Sequence, residues 1–420
     1  MRAFSSLYRL ALATALAATM LSACGGGGGG SSSAASSATN SSSSGTTNTS
    51  AAPAVVANAA TISVDSGISN VPNMPFVSVT VCAPGSGNCR TIDHVLVDTG
   101  SWGLRVFASQ LPASVALPQE SDANGNALAE CMQFFDGYTW GSIRTADVKI
   151  AGETAASLPI QVIDPNYATV PSSCSNTGTS RNTPGALAAN GILGIGVFKH
   201  DCGAACAGQA VAGTYYTCPA SGCTSLAVAE PLQVANPIPY FATDNNGAIV
   251  SLPASPATGE VSLTGQLIFG IGTQSNNGLG SAQVLAADAS TGNFTTVQNG
   301  TTYTKSLIDS GSTGIFFATS QMSACASPNN GYYCPASNEQ FSAVNEGVNG
   351  VTSSVTFTVG NATAIAATRG GDAVLPLLAG PAFVTSSVFD WGLPFFYGRN
   401  IYAAIEQQST PGGTGPYFAY

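Results

Sequence analysis

The chain is 420 residues long, with a formal net charge of −10 and only 8% charged residues. Its 11 lysines and arginines exclude the basic stripe that nucleic-acid binding needs, so solubility has to rest on Ser, Thr, Asn and Gly. With 48 glycines, 23 prolines, many β-branched residues and no long segment of helical period, the composition predicts an all-β chain of short strands joined by turns.

Met1, Arg2 and Arg9 precede an apolar stretch from Leu10 to Leu21. This is the form of an export signal, with a basic start and an apolar run too short to span a membrane. The stretch ends Leu21-Ser22-Ala23-Cys24. A small-residue site running straight into cysteine resembles a bacterial lipobox, which implies that residues 1–24 are a lipoprotein signal peptide and that Cys24 is lipidated. The alternative is an ordinary signal peptide with an incidental cysteine. No later run approaches the ~18 apolar residues that span a bilayer. The lipid is therefore the expected anchor to the cell envelope, on a bacterial outer membrane or a periplasm-facing one. Residues 25 to about 52 are Gly, then Ser, Thr, Asn and Ala, with no Lys or Arg; they cannot bury enough surface to order themselves, and residues 25–54 are expected to be a flexible tether. The ~365 residues that follow exceed one ordinary domain, and two are expected, 55–230 and 231–420.

Setting Cys24 aside leaves ten of the 11 cysteines. An even number in a chain bound for an oxidising compartment predicts five disulfides. Cys82/Cys89 and Cys325/Cys334 have the spacing of loop staples, while Cys202, Cys206, Cys218 and Cys223 allow three pairings among themselves. A zinc site on that cluster is the weaker reading, because the chain has only two histidines and exported cysteines usually oxidise. No metal and no cofactor are expected.

In the first half, Phe76-Val77-Ser78-Val79-Thr80-Val81 alternates as a strand, enters a turn that Cys82 and Cys89 could staple, and returns as Asp93-His94-Val95-Leu96-Val97 to deliver Asp98. The second half repeats the plan. Phe294-Thr295-Thr296-Val297-Gln298 leads to the Asn299-Gly300 turn, and Tyr303 to Ile308 returns to Asp309. A duplicated strand-turn-strand-Asp unit carries more information than either copy.

Each unit ends in the same chemistry, Asp98-Thr99-Gly100-Ser101 and Asp309-Ser310-Gly311-Ser312. Two carboxylates close enough to share one proton can hydrolyse a peptide, one activating water while the other protonates the carbonyl. Gly100 and Gly311 would let the loops turn and approach, Thr99 and Ser310 could brace the opposite loop, and Ser101 and Ser312 could bond the outer carboxylate oxygen. A third triplet, Asp65-Ser66-Gly67, is followed by Ile68 rather than a hydroxyl and reads as a turn. Two buried structural turns could also produce the matching pair and are the weaker alternative. Ser/His/Asp catalysis through His94 or His200 has no nucleophile-elbow pattern to support it, and there is no phosphate-binding loop.

With these residues in place, the sequence resembles the pepsin-type, two-lobed aspartic proteases over most of residues 70 to 420; it also looks like a group of bacterial lipoproteins with no assigned activity. Beyond the triplets, three segments are similar to family segments in the family's order: Asn190-Gly191-Ile192-Leu193-Gly194-Ile195-Gly196, which would thread beneath the first loop; Gly265-Gln266-Leu267-Ile268-Phe269-Gly270, opening the second lobe; and the late segment from Pro394 to Tyr402. The resemblance implies an all-β, bilobal fold with lobes related by a pseudo-twofold axis, Asp98 and Asp309 as the dyad, and a hairpin flap within Met132 to Ile150. Tyr138-Thr139-Trp140-Gly141-Ser142 resembles the family's flap tip, with Tyr138 as the flap tyrosine. A register turning at Asp136-Gly137 would put Phe134 there instead. The family's tryptophan that bonds the flap tyrosine is replaced by Arg105.

The leading expectation is thus a monomeric, lipid-anchored aspartic endopeptidase acting on peptide or protein substrates, with no nucleic-acid partner. The rivals are a catalytically inactive pepsin-like module that binds peptide or glycan at the cell envelope, and a β-rich structural lipoprotein. Residues 25–60 contain no Lys or Arg to pair with an acidic cleft as the family's basic prosegment does, so no such inhibition is expected.

Overall fold

The computed structural model describes residues 58–135, 137–382 and 385–420. The expected signal segment, Cys24 and the tether of residues 25–54 lie outside the described residues. The first half runs β1 (Ala59–Val64), β2 (Pro75–Cys82), β3 (Cys89–Asp98), β4 (Trp102–Phe107), β5 (Ala127–Phe134), β6 (Gly137–Ile150), β7 (Glu153–Ile163), β8 (Thr179–Ser180), β9 (Gly191–Ile195), β10 (Tyr215–Cys218) and β11 (Thr224–Ser225). The second runs β12 (Gly247–Leu252), β13 (Leu263–Phe269), β14 (Val284–Ala286), β15 (Phe294–Gln298), β16 (Thr301–Ile308), β17 (Ile315–Phe317), β18 (Glu339–Glu346) and β19 (Thr352–Val359), then β20 (Ala379–Gly380), β21 (Val388–Trp391), β22 (Arg399–Ala404), β23 (Ser409–Thr410), β24 (Gly413–Thr414) and β25 (Tyr417–Ala419). The fold is all-β, as composition predicts. No helix among the described residues is long and apolar enough to cross a membrane.

One sixteen-stranded sheet takes strands from both halves, in the order β11-β10-β5-β6-β7-β4-β9-β3-β2-β1-β13-β12-β22-β25-β14, with β8 beside β6; a seven-stranded sheet runs β19-β18-β15-β16-β21-β17-β20. The join between the halves in the larger sheet is β1, which pairs with β2 on one side and with β13, from Ala59↔Ile268 to Val64↔Leu263, on the other. Gly265 to Phe269, expected to open the second lobe, is thus the strand that meets β1.

Two burial patterns separate the strands by role. In β18 the side chains alternate strictly, with Phe341, Ala343 and Asn345 inward and their neighbours out, the period-2 signature of a sheet with one wet face. By contrast β4 and β9 are buried at every position, because both faces of each are covered. These doubly buried strands hold the site. In the first half, β3 leads through the Asp98 loop to β4, while β9 lies parallel to β3 (Asp98↔Gly194) and antiparallel to β4 (Gly103↔Gly194). In the second, β16 leads through the Asp309 loop to β17, with β21 parallel to β16 (Ile308↔Trp391) and antiparallel to β17 (Ile315↔Trp391). A Cβ on Gly194 would lie 2.7 Å from the Trp102 backbone, and one on Gly392 2.0 Å from Gly314 O. Only glycine lets the third strand pass so close beneath each loop.

The expected hairpins are present. β2 and β3 pair antiparallel and close on Cys82–Cys89. β15 and β16 close on Asn299 (φ 48°) and Gly300 (φ 77°), the positive-φ pair that a tight two-residue hairpin turn demands. Five disulfides form, Cys82–Cys89, Cys131–Cys174, Cys202–Cys206, Cys218–Cys223 and Cys325–Cys334. Of the three pairings open to the four-cysteine cluster, each cysteine takes its nearest neighbour, so none of the four thiolates is left to ligate zinc. Beneath β21 the core is aromatic: Phe389 stacks on Phe317 at 4.9 Å, Trp391 lies 4.5 Å from Phe389, and Phe357 edges against both. Burying each such ring contributes roughly 1.5–3 kcal/mol, and rings in these geometries about 0.5–1.5 kcal/mol more.

Candidate functional site

The two Asp-Thr/Ser-Gly loops meet face to face. Thr99 and Ser310 interlock: Thr99 Oγ1 donates to Ile308 O (2.8 Å) and accepts from Ser310 N (2.9 Å), while Ser310 Oγ donates to Val97 O (2.6 Å) and accepts from Thr99 N (3.1 Å). Each hydroxyl thus satisfies two backbone groups of the opposite strand end, all buried. The halves are held together at the point where their aspartates emerge.

Gly100 N–H donates to Asp98 Oδ1 and Gly311 N–H to Asp309 Oδ1, both at 2.8 Å. Ser101 Oγ donates to Asp98 Oδ2 at 2.5 Å, and Ser312 Oγ lies 3.0 Å from Asp309 Oδ2. Inner and outer oxygens are thereby fixed, which orients both carboxyl planes. Each carboxyl group lies directly against the glycine of the opposite loop, so the two face each other across the join. A Cβ on Gly100 would sit 2.5 Å from Asp309 Cγ, and one on Gly311 2.9 Å from Asp98 Cγ; the glycines leave room for the opposite carboxylate.

Both aspartates are fully buried, and burial raises both above the ordinary 3.8. Bonds from Ser101, Asp309 and Gly100 pull Asp98 partly back. Asp309 is held well above 3.8, first by burial, then by the charge of Asp98 and next by that of Asp390. Two carboxylates in contact cannot both ionise cheaply, so the pair holds a proton between them, with the neighbouring charge of Asp390 on the Asp309 side.

Arg105, in the place where the resemblance has tryptophan, is fully buried and bonds Glu130 Oε1 of β5 at 2.6 Å and Asp201 Oδ2 at 2.9 Å. Its other amino group donates to Trp102 O at 2.8 Å. Tyr215 of β10 donates to Asp201 Oδ1 and accepts from Val234 N. Burial alone would lower the guanidinium, but Glu130 and Asp201 outweigh it and keep Arg105 charged. Burial, then the neighbouring Glu130, pushes Asp201 well above 3.8. The cluster ties the strand leaving the Asp98 loop to the β5–β6 hairpin.

That hairpin corrects the expected tip. Its last pair is Phe134↔Gly137, so Tyr138, Thr139, Trp140 and Gly141 lie inside β6 rather than at the turn. Thr139 Oγ1 donates to Gln161 Oε1 (2.7 Å), and Trp140 donates from its backbone to Asn182 Oδ1 (2.7 Å) and from its ring to Ala168 O (3.2 Å). Phe134, at the true end, packs in a buried cluster with Leu96, Phe107 and Ile192 on the approach to Asp98. Asp65, by contrast, caps a turn through Gly67 N (2.8 Å) and faces His94 at 3.3 Å.

Two residues not foreseen from the sequence complete the surroundings. Asn73, buried at φ 57°, donates to Thr313 O and Leu375 O and accepts from Leu375 N and Tyr397 OH, all within 2.9 Å. It pins the first half to the residue just after the second loop. Asp390 of β21 lies 2.7 Å from Ser312 Oγ; its signal was a charge in the apolar run Val388 to Trp391.

The structure thus defines an all-β protein with a buried, hydroxyl-braced pair of carboxylates where two repeated strand units meet. Residues 54–420 match the family described as Protein of unknown function (DUF3443), and the chain belongs to that family. No curated protein matches it.

Proposed function

We propose that this protein is an aspartic endopeptidase of the two-lobed, pepsin-like kind, with lobes 55–230 and 231–420 and a water activated between Asp98 and Asp309. The observation that carries the reading is the pair itself: two buried carboxyl groups, each packed against the glycine of the opposite loop, with every supporting hydroxyl and glycine duplicated across the halves. A structural turn needs neither the second carboxylate nor its burial, since burying like charges side by side is costly. In the reaction Asp98, ionised, takes the proton of the attacking water while Asp309, protonated, donates to the scissile carbonyl. The substrate is a peptide or unfolded protein segment. Anchoring by a lipid on Cys24, facing the periplasm, belongs to the same proposal.

The full enclosure of both carboxylates, with Arg105 at the tryptophan position, favours one second reading, a peptide-binding module without turnover. The experiment is to incubate the purified full chain with a peptide library between about pH 3 and 7 and detect new termini by mass spectrometry. Cleavage by the wild type that is lost in Asp98→Asn is expected; binding without cleavage would hand the site to the second reading.

A further inference from the structure

Ser312 has one hydroxyl proton and two carboxylates to serve. Its Oγ lies 3.0 Å from Asp309 Oδ2 and 2.7 Å from Asp390 Oδ2. A serine can donate along only one of these at a time. When it donates to Asp390, the oxygen of Asp309 must bring its own proton to the serine; when it donates to Asp309, Asp390 must be the protonated partner. All three groups are buried, where leaving either bond unmade is costly. In the first half, Ser101 serves Asp98 alone, and the rung equivalent to Asp390 is Ile192.

We propose that Asp390 is a third proton-holding carboxylate of this site, wired to Asp309 through the Ser312 hydroxyl. It is a positioning residue and touches no substrate. The step balances in protons alone: the O–H of Asp309 passes its proton to Ser312 Oγ as the Ser312 proton passes to Asp390 Oδ2, leaving Asp309 ionised and Asp390 neutral. The reverse restores the pair. Other titratable groups on the packed elements are Tyr303 and Lys305 of β16, and Tyr332, whose hydroxyl bonds Thr313 Oγ1 beside Phe316 of β17. Tyr303 OH is committed to Ala318 O at 2.5 Å, and Lys305 is exposed, on the rung opposite Val388. After burial and Asp98, the charge of Asp390 is what holds Asp309 up, so the pair keeps its proton to a higher pH than two carboxylates alone would.

The role rests on the endopeptidase reading, and the test separates the two. In the wild-type full chain carrying 13C-labelled aspartate carboxyls, the Asp309 and Asp390 signals should titrate with shared midpoints; two independent single-step curves overturn the proposal whether or not the protein cleaves peptides. Asp390→Asn should move the Asp309 midpoint down by about one unit, a tenfold change in proton occupancy. On an internally quenched peptide that the wild type cleaves, the same variant should bring the upper limb of the kcat/KM profile down equally while staying within about twofold at the acid optimum. An unmoved profile, or a uniform loss at every pH, overturns it. A wild type without cleavage sinks the endopeptidase reading but leaves the carboxyl titration to decide on Asp390.

Discussion

The two halves build the same unit around their aspartates yet place charge on opposite strands of it. In the first, Arg105 of β4 faces Ile192 of β9; in the second, Phe316 of β17 faces Asp390 of β21. The backbone is symmetric and the electrostatics are not. Burial lifts both aspartates, but the field of Arg105 is among the forces that draw Asp98 back, whereas Asp390 drives Asp309 higher. A symmetric pair would share its proton without preference. Here neighbours on both sides push the same way, which is the asymmetry that the proposed division into base (Asp98) and acid (Asp309) requires.

The harshest way to break the comparison is to remove one member. Asp98→Asn and Asp309→Asn should each lower kcat/KM by ~10³-fold or more, since an amide keeps the shape but cannot share the proton. Asp65→Asn, at a turn, should change kcat/KM less than about twofold. If Asp65→Asn were as damaging as Asp98→Asn, the pairing of loops would not be what matters.

Next in size is the buried cation. Arg105→Met leaves Glu130 and Asp201 facing each other without a counter-charge, and should cost about 3–5 kcal/mol in denaturant unfolding. Substituting all three with apolar residues should recover much of that loss. A smaller effect is expected at the interlock: Thr99→Val strips partners from Ile308 O and Ser310 N and should cost about 1–3 kcal/mol, and Asn73→Ala a similar amount. An unchanged unfolding midpoint in Thr99→Val would mean that the halves are held elsewhere.

The pH dependence sharpens the same contrast. Asp309 and Asp201 are both held well above their ordinary 3.8 by burial. A carboxyl raised in the fold binds more protons there than when unfolded. Its stabilisation is complete below 3.8 and lost as the pH rises through the raised value. Asp122 runs the other way, lowered to about 2 by bonds led by Thr217, but its window lies below 3.8 and does not overlap. Melting should therefore show a higher Tm near pH 4–5 than near pH 8, and Asp201→Asn should flatten the slope. A Tm that rises toward pH 8 would contradict the assigned directions. Smallest of all is the tether. Chains beginning at Cys24 and at Val55 should cleave one peptide at equal rates, and a large activation on shortening would mean that residues 25–54 occupy the site.

What could be read from the sequence was local or duplicated. The triplets with their following serines, the Asn299-Gly300 turn and the staples Cys82–Cys89 and Cys325–Cys334 each lie within a few residues and depend on backbone geometry that the residues themselves dictate. The hairpin register was not legible for a physical reason: Gly137 to Ile143 is buried at every position, so the alternation that fixes a register was missing there. The Arg105 cluster joins residues from β4, β5, β10 and the stretch after β9, and Asn73 reaches Leu375 across 302 positions. No local pattern announces such contacts. Asp390 left a faint mark, one charge among Val388, Phe389 and Trp391, but its partner Ser312 lies 78 positions away.

The way the chain enters its fold has a mechanical consequence. β1 lies antiparallel to β13 over six rungs, with β2 on its other side. A pull arriving at Ala59 along the strand axis would load all six rungs in shear rather than peel them singly. Such a joint stays rigid until it gives way as a unit. Because β1 is also the seam where the halves of the larger sheet join, its release would open that seam and leave the Thr99–Ser310 interlock and Asn73 to carry the load between the halves, so tension at Ala59 bears on the aspartate pair only after β1 has given way.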